Sequence, residues 1–259
     1  SYNKGQGYRS IFVLGPNCRN VTLKNFTIRN THNRIVETGD DTPDLGESFL
    51  WNNTQGVLNC LNLKIEGNRN AVYLKGTSSF INSTIAGDSD YITGEVQTAY
   101  FENCTLYTKG CMRPDVVPSV VNSHALKDAK GFVFSSCAFT GNVKKDRDCF
   151  VVKTDGKGTE SSDKDWDSVA LLNCTYDENY SPELIWDDDM SLEAYPRGNA
   201  QTGVREYNPR TRNSDGSVVA SDTGRRNVRA YTLTDDDYYQ NYATRFLVFR
   251  GTQFESAGM

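Results

Sequence analysis

The side chains able to do chemistry in this chain are carboxylates and cations, not histidines or paired thiols. Only two histidines occur, His32 and His124, too few for a His-built metal centre. None of the seven cysteines stands in a Cys-x-x-Cys pair, which disfavours a zinc ribbon or a dithiol redox site. Two carboxylates share one glycine-bounded segment, Gly87-Asp88-Ser89-Asp90-Tyr91-Ile92-Thr93-Gly94. On residue type alone an Asp there is a turn former, and Asp88 reads as a solvated turn residue. Arg69 and Lys153 read, in the same way, as ordinary surface cations. Trp51, Tyr91, Trp166 and Trp186 carry ring faces suited to sugar C–H surfaces, and equally suited to core packing.

The elements that must position these groups are short strands. The 259 residues are 37% hydrophobic with 21 Gly, enough for a core and therefore against wholesale disorder. No run of about 18 apolar residues exists, so no membrane-spanning helix is expected. The net charge of −5 argues against nucleic acid as the main partner. A short pattern recurs as Asn25-Phe26-Thr27-Ile28, Asn62-Leu63-Lys64-Ile65, Asn82-Ser83-Thr84-Ile85, Asn103-Cys104-Thr105-Leu106, Ser136-Cys137-Ala138-Phe139 and Asn173-Cys174-Thr175-Tyr176. The intervals are 37, 20, 21, 33 and 37 residues. Each copy sits in a run of period two, the signature of strands with one face buried. Spacing near 20 residues with identical side chains at matching positions favours a parallel β-helix over a sandwich, whose strands recur every ~8–12 residues. Asn then stacks at a turn, and Cys, Leu or Phe stacks inside.

This gives an all-β, single-stranded solenoid of about six coils over residues 1–186, with long inserted loops. The ladder is expected to stop after Trp186. Residues 187–259, with their Asp and Arg runs, form a C-terminal tail of the same domain that wraps the solenoid end and blunts its exposed strand edge. The cysteines, four of which follow Asn, read mainly as reduced, buried ladder rungs. Seven Asn-x-Ser/Thr sequons occur, at Asn20, Asn25, Asn52, Asn82, Asn103, Asn173 and Asn179. Four of them coincide with or adjoin the ladder, and the sequons therefore read as structural rather than as glycan sites, because inward-packed positions cannot hold a glycan.

With the repeat in place, the chain resembles the pectin methylesterases, β-helical carbohydrate esterases. Gly87-Asp88-Ser89-Asp90-Tyr91-Ile92-Thr93-Gly94 is similar to that family's Gly-x-Val-Asp-Phe-Ile-Phe-Gly motif. Asn62 to Tyr73 resembles its Asn-Cys-x-Phe-x-Gly-x-Gln-Asp-Thr-Leu-Tyr segment. Asn25-Phe26-Thr27-Ile28-Arg29-Asn30-Thr31, Gly131 to Cys137, and Arg205-Glu206-Tyr207-Asn208 with Leu233-Thr234 match further segments in order. The resemblance implies a right-handed β-helix, no cofactor and no metal. It implies an acidic, pectin-like plant cell-wall polysaccharide as partner, and a secreted, extracellular or periplasmic setting with no membrane or nucleic-acid partner. The family's first strands have no counterpart here, so another chain or segment is expected to complete the N-terminal coils.

In the family an Asp is the nucleophile, a second Asp the acid and then the base, two Gln support the oxyanion and an Arg orients the nucleophile. Carried over by position, the nucleophile falls on Asp90 and the second Asp on Asn70, which cannot give up a proton. The Gln beside it falls on Arg69, able to serve as a charged oxyanion donor. The other Gln falls near Glu47, a substitute acid if burial near Asp90 raised its pKa. The Arg falls nearest Lys153. Tyr91, Trp51, Tyr73, Trp166 and Arg113 are the expected substrate-binding residues, and Arg69, Lys75, Arg113 and Lys153 would supply local positive charge for an anionic polymer. Two alternatives stand beside the esterase: a glycan-binding β-helix with impaired catalysis, and a lyase in which Asp88, Asp90 and Glu47 hold Ca²⁺ while Arg69 or Lys153 abstracts the proton.

Overall fold

Positive φ is costly for most L-residues and is tolerated best by Asn, Asp and Gly. A coil that must turn sharply at the same place in every repeat therefore selects Asn there. The computed structural model describes residues 10–31, 47–110, 118–144, 148–154, 167–187 and 198–256. In it Asn25, Asn62, Asn82, Asn103, Ser136, Asn173 and Asn208 all have φ between 47° and 60°. Each turns the chain into a short strand of one parallel face: Thr27–Arg29, Lys64–Glu66, Thr84–Gly87, Thr105–Thr108, Ala138–Gly141, Thr175–Asp177 and Arg210–Arg212. Seven coils are thus present among the described residues, not six. The last, with Gly203–Tyr207 pairing in register with Ser168–Leu172, lies beyond Trp186, where the ladder was expected to end.

The residue after each turn points inward. Leu63, Ser83, Cys104, Cys137 and Cys174 are buried in sequence, and the last three thiols donate to the carbonyls of Phe80, Phe101 and Phe134 at 3.3–3.5 Å. Cys18, Cys60, Cys104, Cys137 and Cys174 are free thiols, and burial pushes the Cys174 thiol up to about 12. A second column stacks Phe80, Phe101 and Phe134 at centroid distances of 4.9 and 4.7 Å, each pair contributing about 0.5–1.5 kcal/mol beyond area burial. The turn asparagines themselves point outward: Asn25, Asn62, Asn82 and Asn103 are exposed, and Asn62 Nδ2 donates to Asn25 Oδ1 at 3.0 Å. Inward packing is therefore not what bears on the sequons in this ladder.

The remaining strands form two faces that meet at a bend. Val72–Ile81 and Ile92–Glu102 run through it, with the register shift between Gly76 and Thr77. Ahead of the bend, Phe49–Trp51, the start of these two strands, Ser119–Ser123, Phe150–Thr154 and Ile185–Asp187 make the face that carries Asp90. Gly94 is required there. Its φ is +143°, and a Cβ would lie 1.8 Å from the Leu74 carbonyl oxygen. Gly94→Ala should cost about 2–4 kcal/mol, read as a lower urea midpoint.

The tail does not merely cap the end. Tyr231–Thr232 pairs with the last long-face strand and Val218–Ala220 closes the short-strand face antiparallel. Helices α1 (Asp235–Asn241), α2 (Arg245–Phe249) and α3 (Gln253–Ser256) then run back along the flank. Contacts step from Tyr207–Tyr238 (4.1 Å) to Tyr100–Phe249 (5.6 Å), and Gln253 Nε2 donates to the Thr54 carbonyl at 3.3 Å. The tail thus returns from the last coil to the second, burying an outer apolar stripe that includes Ile81, Tyr100, Val133 and Leu172.

Lys130 fastens this tail, donating to the carbonyls of Asn241 and Leu247. Burial, then Arg205 and Arg250, pushes its pKa down to about 8. The unfolded chain, with Lys near 10.4, binds more protons between these values, so this lysine's contribution is full above about 10.4 and is lost as pH falls through about 8. The stability of the parent relative to Lys130→Met should therefore rise from pH 8 to pH 10, measured by urea denaturation of both. The difference isolates Lys130 from the tyrosines and cysteines that titrate in the same window.

Candidate active site

Asn70 and Asp90 end the turns that lead into the site face, with φ of 54° and 46°. Positive φ alone favours Asn or Asp at both positions, whatever the chemistry. The neighbouring Arg69 and Ser89 form a parallel bridge, and Val72 pairs with Ile92, so Asn70 and Asp90 are equivalent positions one coil apart. Phe49 pairs with Val72, which puts Glu47 one coil further, in the same column.

Asp90 is 3% exposed. Its Oδ1 accepts from Ser119 Oγ. Its Oδ2 lies 3.2 Å from Arg69 Nη2 and 4.0 Å from Lys153 Nζ, and its backbone N donates to the Ser119 carbonyl at 2.8 Å. Each carboxylate oxygen has two lone-pair sites, and among the described residues one side-chain hydrogen bond reaches each. Lys153 is placed by register: it pairs with Asn122 and Trp186, and Asn122 with Thr93. Its ammonium lies 4.7 Å from the Trp186 ring centroid. A row of Tyr73, Thr93, Asn122, Lys153 and Trp186 thus crosses the site face along the solenoid axis, with Asp90 at its border.

Asp90, Arg69, Lys153 and Asn70 are therefore brought together. Glu47 is not. Two coil spacings, about 9–10 Å, separate its backbone from that of Asp90. Its side chain is fully buried and accepts from Ser10 Oγ at 2.8 Å, so it is no acid for chemistry at Asp90. The calcium trio does not converge either, since Asp90 is faced by cations and Glu47 lies away. Among the described residues no group of three or more His, Cys, Asp or Glu side chains is placed to hold a metal. Asp88 is half-buried on the neighbouring corner, its carboxyl raised by burial and partly offset by Lys109.

Two expected sugar-stacking residues are instead core. Trp51 and Tyr91 are fully buried in the main apolar cluster. Tyr91 follows a positive-φ residue, which turns the next side chain inward, and burial pushes its hydroxyl up. Tyr73 lies on the site face but is 7% exposed. Lys75, expected to add positive charge, stands 3.6 Å from Glu95. Trp166 and Arg113 lie outside the described residues. Sequence reasoning missed Ser119, which no motif marks, and left Trp186 among residues as apt for packing as for binding.

No family model matches the chain, and no curated protein matches it by sequence. Solved structures do match. A pectin methylesterase in complex with a hexasaccharide is 18% identical, with 95% of this chain and 74% of that one covered and a TM-score of 0.63. The Yersinia enterocolitica pectin methylesterase is 19% identical, with 95% and 78% covered and a TM-score of 0.62. The carrot enzyme is 11% identical, with 96% and 70% covered and a TM-score of 0.63. At these identities the likeness is one of fold: the chain is an all-β, right-handed parallel β-helix of the pectin methylesterase type.

Proposed function

We propose that this protein binds a methyl-esterified uronic-acid polysaccharide across the site face and hydrolyses its ester, with Asp90 as nucleophile. The observation that carries the reading is the buried Asp90 carboxylate between Arg69 at 3.2 Å and Lys153 at 4.0 Å. The two cations face one carboxylate oxygen, Oδ2, and Ser119 Oγ donates to the other, Oδ1, which fixes the orientation of the carboxylate. An Asp90 oxygen attacks the ester carbonyl carbon, and the carbonyl π electrons move to oxygen. Arg69 is the donor for that oxyanion, charged and therefore stronger than an amide. Collapse breaks the C–OCH₃ bond, leaving an acyl–Asp90 anhydride and methanol once a proton is supplied. Water then adds to the acyl carbon, giving up one proton that replaces the one spent on methanol, and the anhydride C–O bond to Asp90 breaks, which releases the uronic acid and restores the Asp90 carboxylate. A pectin-like substrate sets this work outside the cytoplasm, as a secreted or periplasmic protein.

Asn70 favours a second reading, a glycan-binding β-helix without turnover, because losing a proton-transfer group costs about 10²–10⁴-fold. One assay separates them. Esterified and de-esterified pectin are incubated with the parent and with Asp90→Asn, following methanol and ultraviolet absorbance together. Methanol lost in the variant supports the esterase. Binding with no methanol supports the second reading, and unsaturated ultraviolet-absorbing products reject both.

A further inference from the structure

An aspartate-based ester hydrolysis must protonate the leaving methoxide and later deprotonate the attacking water. Most groups beside Asp90 cannot do this. A guanidinium does not give up its proton in proteins, which rules out Arg69, and Asn70 has no acidic proton. Ser119 donates its hydroxyl to Asp90 itself, and Glu47 is two coils away. Lys153 meets the requirement. Its side chain is 15% exposed, and its ammonium is packed over the Trp186 ring at 4.7 Å. It stands 4.0 Å from Asp90 Oδ2, beyond hydrogen-bond range. An ester carbon at about 3 Å from Oδ2, an attack distance, leaves its methoxyl oxygen within hydrogen-bond reach of Nζ.

We propose that Lys153 is the proton carrier of this site, as a catalytic residue in place of a second carboxyl group. The inference rests on the esterase reading above. In acylation the C–OCH₃ bond breaks as Nζ–H transfers its proton to the departing oxygen, giving methanol and a neutral amine. In deacylation that amine takes a proton from water as the water oxygen bonds to the acyl carbon. The anhydride C–O bond to Asp90 then breaks, and the ammonium and carboxylate are both restored. No net proton is gained or lost at the protein.

Lys153→Arg is the discriminating variant. It keeps the positive charge and the ring contact, and a purely electrostatic lysine would be replaced without loss. A proton carrier would not, because a guanidinium cannot give its proton up, and methanol release should fall about 10²–10⁴-fold with KM little changed. Lys153→Ala should then regain turnover in proportion to added ethylamine, an effect that lost packing cannot produce. Circular dichroism and thermal melting of both variants against the parent establish that they fold. Full activity in Lys153→Arg, or no amine rescue, overturns the assignment while the Asp90→Asn result still upholds the esterase. No methanol from the parent, or equal release from Asp90→Asn, overturns both.

Discussion

Asp90→Asn should fold as the parent does and lose methanol release by about 10³-fold or more. The fold half of this expectation follows from the backbone. Position 90 sits at φ 46°, where Asn is as well tolerated as Asp, whereas Ala pays a left-handed penalty of about 1–2 kcal/mol. The hydrogen bonds can also be kept. Ser119 Oγ faces one oxygen of Asp90 and Arg69 the other. An Asn can turn its carbonyl oxygen to Arg69 and its amide nitrogen to Ser119, whose hydroxyl accepts as readily as it donates. What is lost is the attacking anion, and removing a nucleophile that works with its neighbours as a unit can cost up to about 10⁶-fold. The charge change acts in the opposite direction on binding. Arg69 and Lys153 are left without their carboxylate, so affinity for de-esterified, anionic pectin should hold or rise. Methanol assay and calorimetric binding on the same preparation separate the two effects. A variant that releases methanol like the parent removes Asp90 from the chemistry.

The parts of the fold that were legible in sequence are those where backbone geometry dictates residue type. The turn asparagines were visible because a positive φ repeated seven times leaves a column that is Asn in six coils and Ser136 in the other. The glycine of Ile92-Thr93-Gly94 was visible because no Cβ fits against Leu74. The site was legible less far. Period-two reading places Tyr91 opposite to its real direction, because the positive-φ residue before it breaks the alternation, so both Tyr91 and Ile92 face the core. Trp51 lies in a strand whose three residues are all buried, which alternation cannot anticipate. Ser119 follows a long insertion, and only the three-dimensional register sets it against Asp90. The tail misled for a different reason. Its helices are short, five to seven residues in α1 and α2, and their stability comes from an apolar stripe on the solenoid that no local pattern reveals.

Asn70→Asp should raise methanol release by about 10²-fold and make turnover indifferent to Lys153→Arg. Asn70 is 8% exposed, at φ 54°, and one coil spacing, about 4.8 Å, from the equivalent backbone position of Asp90. Asp is tolerated at that φ as Asn is. A carboxyl introduced there is buried beside an existing carboxylate, and both conditions raise its pKa. A raised pKa keeps that carboxyl's proton available to the leaving group, while Arg69 and Lys153 face the Asp90 carboxylate, the division of roles that an acid and a nucleophile require. Proton transfer by the new carboxyl makes a lysine proton redundant, so the double variant Asn70→Asp, Lys153→Arg should match Asn70→Asp alone. That non-additivity is the informative measurement, because independent sites would multiply their effects. Stability carries a second signature with a definite sign. The introduced group has a folded pKa above its unfolded value of about 3.9, so the variant binds an extra proton when folded and loses stability, relative to the parent, as pH rises between the two values. A gain in rate without that pH-dependent loss means the new carboxyl is not buried beside Asp90. The loss without a gain means that the column of residues 70 and 90 is a structural ladder rather than a catalytic pair.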